Sequence, residues 1–213
     1  MQLYKPNSSN KGSALSINFV AKAAKGNEKG DKSFYFQIIS QNGWNAETKT
    51  GAFKDGKKLI VKFAPHEIAG MIAAIKRNIS LADAMNTKYV YHDGADNSSN
   101  ITFEPHFKSV KKGDEWVKTD NQNGFIYRVT RTDKKDTNNK ESLAIGFNWA
   151  ETELLRVFLE DGLGHVCNSW YSENIARGAE AKEKYKKSAP KQEKTEEPES
   201  NQGPESSNSD LDF

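Results

Sequence analysis

Lysine, arginine and large aromatic residues recur together along this chain at the spacing of extended backbone. Lys11 stands just before the first alternating segment. Tyr35 lies within the second, on the parity opposite Phe34 and Phe36. Trp44 follows in Gln41-Asn42-Gly43-Trp44-Asn45, and Lys49, Lys54, Lys57, Lys58 and Lys62 cluster beyond it. In the second half Tyr89 and Tyr91 share one face of a short strand, and Arg128 and Arg131 follow Tyr127. A phenol or indole can stack on a flat ring while its polar atom stays hydrated. Ammonium and guanidinium groups pair with phosphate. Interleaved on strands, the two supply the stacking faces and cationic track that hold a single nucleic-acid strand, at about 1–3 kcal/mol per stacked base. The candidate contacts are therefore Lys11, Tyr35, Trp44, Lys49, Lys58, Lys62, Tyr89, Tyr91, Arg128 and Arg131.

Catalytic chemistry is poorly supplied. His66, His92, His106 and His165 are scattered without metal-ligand spacing. No Gly-Lys-Ser/Thr phosphate loop and no G-x-S-x-G elbow occurs. His165 and Cys167 are two apart on an expected helix, so they face different ways. The reading is a protein that is not an enzyme, with no catalytic residue, no metal and no cofactor. Cys167 is the single cysteine, which rules out an internal disulfide; in an apolar helical stretch it is expected to be a buried thiol. No apolar leader follows Met1, and no run approaches the about 18 apolar residues that span a bilayer. The expectation is a soluble, cytoplasmic protein with no membrane partner.

Apolar periodicity places these residues on elements. Residues 1–10 are polar and read as a flexible arm. Leu15, Ile17, Phe19 and Ala21 alternate as a half-buried strand; Ser33–Ser40, a weaker Glu47–Phe53 and Lys57–Phe63 follow, with a turn at Asp55-Gly56. Pro65 and Glu67 open a helix whose stripe is Ile68, Met71, Ile72, Ile75 and Ile79. The order then repeats: strands over 88–92, 100–107, 124–130 and 141–147, and a helix opened by the capping box Asn148-Trp149-Ala150-Glu151. Gly162 and Gly164 are expected to end or kink that helix. At an offset of 84 residues, Leu59, Phe63 and Glu67 match Leu143, Phe147 and Glu151. The expected fold is α+β: two four-stranded antiparallel sheets, each followed by a helix. On parity, Phe34, Phe36, Phe63, Phe103, Phe125 and Phe147 belong to the core.

Charge divides the chain. Its net +2 combines −3 from Glu173 onward with +5 before it, which suits an anionic partner for the body. A charged helical extension is expected over 173–188. From Ala189 to Phe213 the only apolar residues are Ala189, Leu211 and Phe213, and the net charge is −5. Such a segment cannot bury enough surface to fold and is expected to be a disordered tail. It closes on Asp210-Leu211-Asp212-Phe213, an aromatic anchor among carboxylates. The segment resembles the acidic, Phe-ended tail of bacterial and phage single-stranded DNA-binding proteins. That resemblance implies recruitment of replication and repair partners and competition with DNA for the basic body.

The order strand-strand-strand-strand-helix, twice, opened by Lys11-Gly12-Ser13-Ala14-Leu15-Ser16, is similar to the Whirly family of single-stranded DNA-binding proteins, whose first-strand motif reads K-G-K-A-A-L. Lys11, Gly12 and Ala14 match; Ser13 stands where the family has its second lysine. The likeness in element order covers about residues 5–172. It implies a homotetramer that coats single-stranded DNA without sequence preference in replication, recombination or repair, here of phage or bacterial type. Met71, Ile75, Phe158 and Trp170 offer apolar helix surface for such assembly. The alternative from the residues alone is a protein–protein adaptor whose sheet faces bind peptide.

Overall fold

Alternating apolar residues at Phe34, Phe36 and Ile38, and again at Phe125, Tyr127 and Val129, are turned inward on two antiparallel sheets, and all six side chains are buried. The computed structural model describes residues 1–22, 30–113 and 115–188. Met1–Ile175 form one compact unit. A second begins at Ala176, and its described part, to residue 188, is helical.

The first half holds strands β1 (Gln2–Lys5), β2 (Ser13–Lys22), β3 (Asp31–Ser40), β4 (Gly43–Asn45), β5 (Thr50–Ala52) and β6 (Lys58–Phe63). They are followed by helices α1 (Pro65–Arg77) and α2 (Leu81–Ala84). The sheet order is β1-β2-β3-β6, with β4 and β5 pairing apart as a two-stranded ribbon. The second half is a meander of β7 (Val90–Asp93), β8 (Asn97–Lys112), β9 (Glu115–Asp133) and β10 (Lys140–Phe147), ordered β10-β9-β8-β7 and closed by helix α3 (Trp149–Ser188).

Two expectations for the first half change places. Residues Gln2–Lys5, expected in a flexible arm over 1–10, form the edge strand β1, because Leu3 pairs with Leu15 on the inward parity and packs on the core. Glu47–Phe53, expected as a strand of this sheet, contributes only Thr50–Ala52 to the ribbon. Its Thr and Lys side chains give it little to bury against the second sheet.

The two halves end alike. Phe34 pairs with Phe63, Phe36 with Val61 and Ile38 with Leu59. In the second sheet the matching rows are Phe125–Phe147, Tyr127–Ile145 and Val129–Leu143. After each last strand a glutamate caps the helix: Glu67 Oε2 accepts from the Ala64 N–H at 2.8 Å, and Glu151 Oε2 from the Asn148 N–H at 2.8 Å. Asn148 Oδ1 in turn accepts from the Glu151 N–H at 2.9 Å, so the box read at Asn148 closes in both directions. All six core phenylalanines expected from parity are buried.

Helix α3 buries Thr152, Leu155, Leu159, Gly162 and Val166, a stripe of alternating three- and four-residue steps. Cys167 falls one residue off that stripe and is exposed, contrary to the expected buried thiol. The helix neither ends nor breaks at its glycines. Gly162 is where α3 crosses the first sheet: a Cβ there would lie 2.7 Å from Phe34 Cε1 and 3.0 Å from Phe19 Cδ1. Gly164 meets nothing within 4 Å. Further along, Lys32 pairs with Glu173 at 2.5 Å with both side chains nearly buried, and the Ser169 hydroxyl donates to the Ala21 carbonyl at 3.3 Å.

Among the described residues no helix is long and apolar enough to cross a membrane. Replacing Gly162 by leucine should force α3 away from the buried Phe34 ring. Overpacking of this kind costs about 1–3 kcal/mol, more than the about 1 kcal/mol of helix propensity gained over glycine. Thermal unfolding should show a lower midpoint for Gly162→Leu and a modestly higher one for Gly164→Leu, where the propensity gain meets no clash.

Candidate nucleic-acid interface

Strand parity that sends phenylalanines inward sends polar and aromatic residues outward. On the second sheet Val90, Ile101, Phe103, Tyr127 and Val129 point in. Tyr91 pairs with Asn100, which pairs with Thr130; Thr102 pairs with Arg128. These residues share the outward face, and Tyr89, just before β7, has the same parity as Tyr91. The two tyrosines are 60% and 54% exposed, so their ring faces are open. Lys88 Nζ lies 5.2 Å from the Tyr89 ring centre, within reach of a cation–π contact. Arg128 is exposed two strands away. Tyr89, Tyr91 and Arg128 thus lie on one face, together with Lys88.

Arg131 departs from the expectation. At three residues from Arg128 it takes the inward parity, and it reaches across to the first sheet. Its Nη2 donates to the Ile60 carbonyl at 2.7 Å and its Nε to Ser99 Oγ at 3.4 Å. It borders a cavity of about 380 Å³ between Ile60, Lys62, His92, Asn97 and Ser99. Arg131 is therefore a strut between sheets rather than an open phosphate contact. Tyr127, which precedes these arginines, is a core ring. It stands 5.4 Å from Phe36 and 6.3 Å from Phe63, and burial pushes its hydroxyl well above its ordinary pKa.

The outward face of the first sheet carries Asn18, Tyr35, Gln37, Lys58, Ile60 and Lys62. Tyr35 and Lys62 are cross-strand partners, with Lys62 Nζ 5.5 Å from the Tyr35 ring centre. Neither is unengaged. Asp31 takes the Tyr35 hydroxyl at 2.7 Å and the Lys62 ammonium at 3.0 Å. The hydrogen bonds from Tyr35, Ser33 and Lys62, in that order of weight, pull the Asp31 carboxyl down to about 2. The same pairing raises Lys62 above the ordinary lysine value. Lys58 is exposed on the same strand.

The remaining candidates are dispersed. Lys11 is exposed in the β1–β2 turn. Beside it Gly12 is required by close packing, since a Cβ would meet Gln41 Oε1 at 2.3 Å and the Lys5 carbonyl at 2.4 Å. Ser13 and Ala14, the rest of the motif, are buried at the start of β2. Trp44 is half-buried on β4 opposite Gly51. Lys49 stands at the tip of that ribbon in the left-handed conformation, with φ of 51°. Asp210, Leu211, Asp212 and Phe213 lie outside the described residues, as does the whole segment from Ala189.

Three features escaped the sequence reading. Asp31 is one, although Asp31-Lys32-Ser33-Phe34-Tyr35 already places Asp31, Ser33 and Tyr35 on one parity. The second is the length of the β8–β9 hairpin, whose arms run well past the core to Lys112 and Glu115. There Lys118 Nζ lies 4.5 Å above the Phe107 ring. The third joins the first helix to the second sheet. His92, one of the four scattered histidines, contacts Glu67 at 2.6 Å. Burial opposes ionisation of Glu67, but the bonds from His92 and the Ala64 N–H together hold its carboxyl below the ordinary value. Among the described residues no cluster of three His, Cys, Asp or Glu side chains could hold a metal.

Comparison with solved structures identifies the architecture. WHY3 from Arabidopsis thaliana matches over 85% of this chain and 95% of its own, with a TM-score of 0.54 and 17% identity. WHY1 from Arabidopsis thaliana matches over 85% and 91%, with a TM-score of 0.51 and 18% identity. The plant transcriptional regulator PBF-2 matches over 82% and 93%, with a TM-score of 0.53 and 14% identity. The fold is Whirly-like. At these identities the likeness is one of fold, as the order of elements from Lys11 led us to expect. No family model matches the sequence, and no curated protein does.

Proposed function

We propose that this chain is a single-stranded DNA-binding protein of phage or bacterial type, coating displaced strands without sequence preference in replication, recombination or repair. It acts by binding, with no catalytic step and no cofactor, in the cytoplasm. The observation that carries the reading is the outward face of the second sheet: two exposed tyrosine rings, Tyr89 and Tyr91, with Lys88 over the first and Arg128 exposed two strands away. Any base offers a π-face to such rings, and the cations take phosphates, so recognition is indifferent to sequence. The Whirly-like fold and the +5 body support the same reading.

Titrating fluorescent oligothymidine against a duplex of equal length tests it. The single strand should bind preferentially, with log K falling against log salt by about 0.7 per phosphate neutralised. Tyr91→Ala and Arg128→Ala should weaken binding without lowering the unfolding midpoint. Absence of oligothymidine binding at low salt would overturn the reading and leave the peptide-binding adaptor in its place.

The homo-oligomer, a tetramer, is part of the proposal. Met71, expected to contribute to its surface, is buried within the chain's own core. Ile75 and Phe158 are partly buried against that core, whereas Trp170 is exposed as expected. Leu154, Val157, Tyr171 and Ile175 are also exposed and fall on the face of α3 opposite its buried stripe. Light scattering should give four times the chain mass, and Val157→Glu should reduce it. A monomer at micromolar concentration sinks the assembly.

The acidic segment from Ala189 completes the reading. Carrying −5 on the same chain as the basic body, it competes with phosphates at high effective concentration. Asp210, Leu211, Asp212 and Phe213 hold a replication or recombination partner once DNA displaces them. Deleting 189–213 should tighten oligothymidine binding, most at low salt where screening is weak. Deleting Phe213 alone should leave DNA affinity intact and abolish partner capture. Equal DNA affinity of full-length and shortened chains at low salt would refute the competition.

A further inference from the structure

Asp31, Ser33 and Tyr35 follow one another at alternate positions of β3, and Lys62 comes alongside from β6 opposite Tyr35. Asp31 Oδ1 accepts from the Ser33 hydroxyl at 2.7 Å and lies 3.0 Å from Lys62 Nζ; Oδ2 accepts from the Tyr35 hydroxyl at 2.7 Å. One carboxylate thus collects a hydroxyl, a phenol and an ammonium. These are the donors that would suit the non-bridging oxygens of a phosphodiester. The site opens to solvent: the Lys62 side chain is 55% exposed and that of Asp31 31%. A phosphate can reach Lys62, but only against the charge of the carboxylate already there.

We propose that Asp31 is an internal stand-in for a DNA phosphate: it holds Lys62 and Tyr35 in the free protein and gives them up when a strand binds. The inference rests on the single-strand-binding reading above and adds its regulation. With Asp31 in place the Asp31–Lys62 pair is neutral, so a phosphate arriving there gains little from the lysine. Bases can still stack on the second sheet while this position opens and closes. The strand is held firmly at Tyr89, Tyr91 and Arg128 and exchangeably at Lys62. Asp31 stays ionised throughout the physiological range because its three donors favour the charged form, so the competition is set by DNA and salt rather than by pH.

The experiment uses the full chain as wild type, Asp31→Asn, Lys62→Gln and the double variant, titrated with fluorescent oligothymidine at two salt concentrations, with unfolding midpoints measured alongside. Asp31→Asn should tighten binding several-fold at low salt and steepen the log–log salt slope by about 0.7, one additional phosphate neutralised. Lys62→Gln should weaken binding more when combined with Asp31→Asn than in wild type, because there the ammonium meets the strand without first having to leave the carboxylate. Asp31→Ser removes the same charge and should repeat the result if the asparagine variant folds poorly. Unchanged or weaker binding by both Asp31 variants, or an equal effect of Lys62→Gln in the two backgrounds, would overturn the inference. In that case wild-type binding would still stand. A wild type that binds no oligothymidine overturns the parent reading and this one together.

Discussion

The contact on which the rest depends is the meeting of Phe36 and Tyr127 between the two sheets. Their ring centres are 5.4 Å apart and steeply inclined, with Phe63 4.8 Å from Phe36 on the same side. Edge-to-face packing of this kind stabilises by about 0.5–1.5 kcal/mol beyond burial. Its larger effect is on register. A slip of one residue in β3 or β9 would expose this row and bury Tyr35 or Arg128 in its place. Parity at the core therefore decides what stands on the surface. The outward rows Tyr35–Lys62 and Thr102–Arg128 are the reverse sides of Phe36–Val61 and Phe103–Tyr127.

Much of this was legible from alternation alone. The six phenylalanines of the core, the helix stripe of Ile68, Met71 and Ile72, and the capping box at Asn148 follow from local period and cap chemistry, which act within a few residues. What was not legible depends on partners distant in sequence. Arg131 reads as an exposed cation until the first sheet brings the Ile60 carbonyl to its Nη2. Asp31 carries no signal of its own until β6 brings Lys62 beside it. Leu3 lends an edge strand to a segment with too few apolar residues to announce one. Gly162 has the composition of a helix breaker, and only the aromatic rings beneath it show that its missing side chain is a space for Phe34.

The two faces differ in how much of their charge is already spent. On the second sheet Arg128 projects from β9 and Lys88 is engaged with a ring, which leaves its charge open to solvent. On the first, Lys62 is paired with Asp31 and Lys57 lies 3.7 Å from Glu141, while Lys58 is exposed with no ion pair seen among the described residues. The small net charge of the body therefore does not measure its local fields. On the reading proposed above, a polyanion would meet a firm position on one sheet and an exchangeable one on the other.

Glu151 has a role beyond its cap. While Oε2 closes the start of α3, Oε1 grips Lys5 of the edge strand β1. Lys32 and the Ala21 carbonyl likewise wait for Glu173 and Ser169, and Phe34 for the gap at Gly162. The first sheet is thus completed by the last helix, across separations of roughly 130–150 residues. On a ribosome the earliest strands emerge long before their cover exists, and non-local closure of this kind is slow. During that interval the Phe19 and Phe34 side of the nascent sheet is open to other chains. The longer the intervening residues take to be made, the longer that side of the sheet stays uncovered.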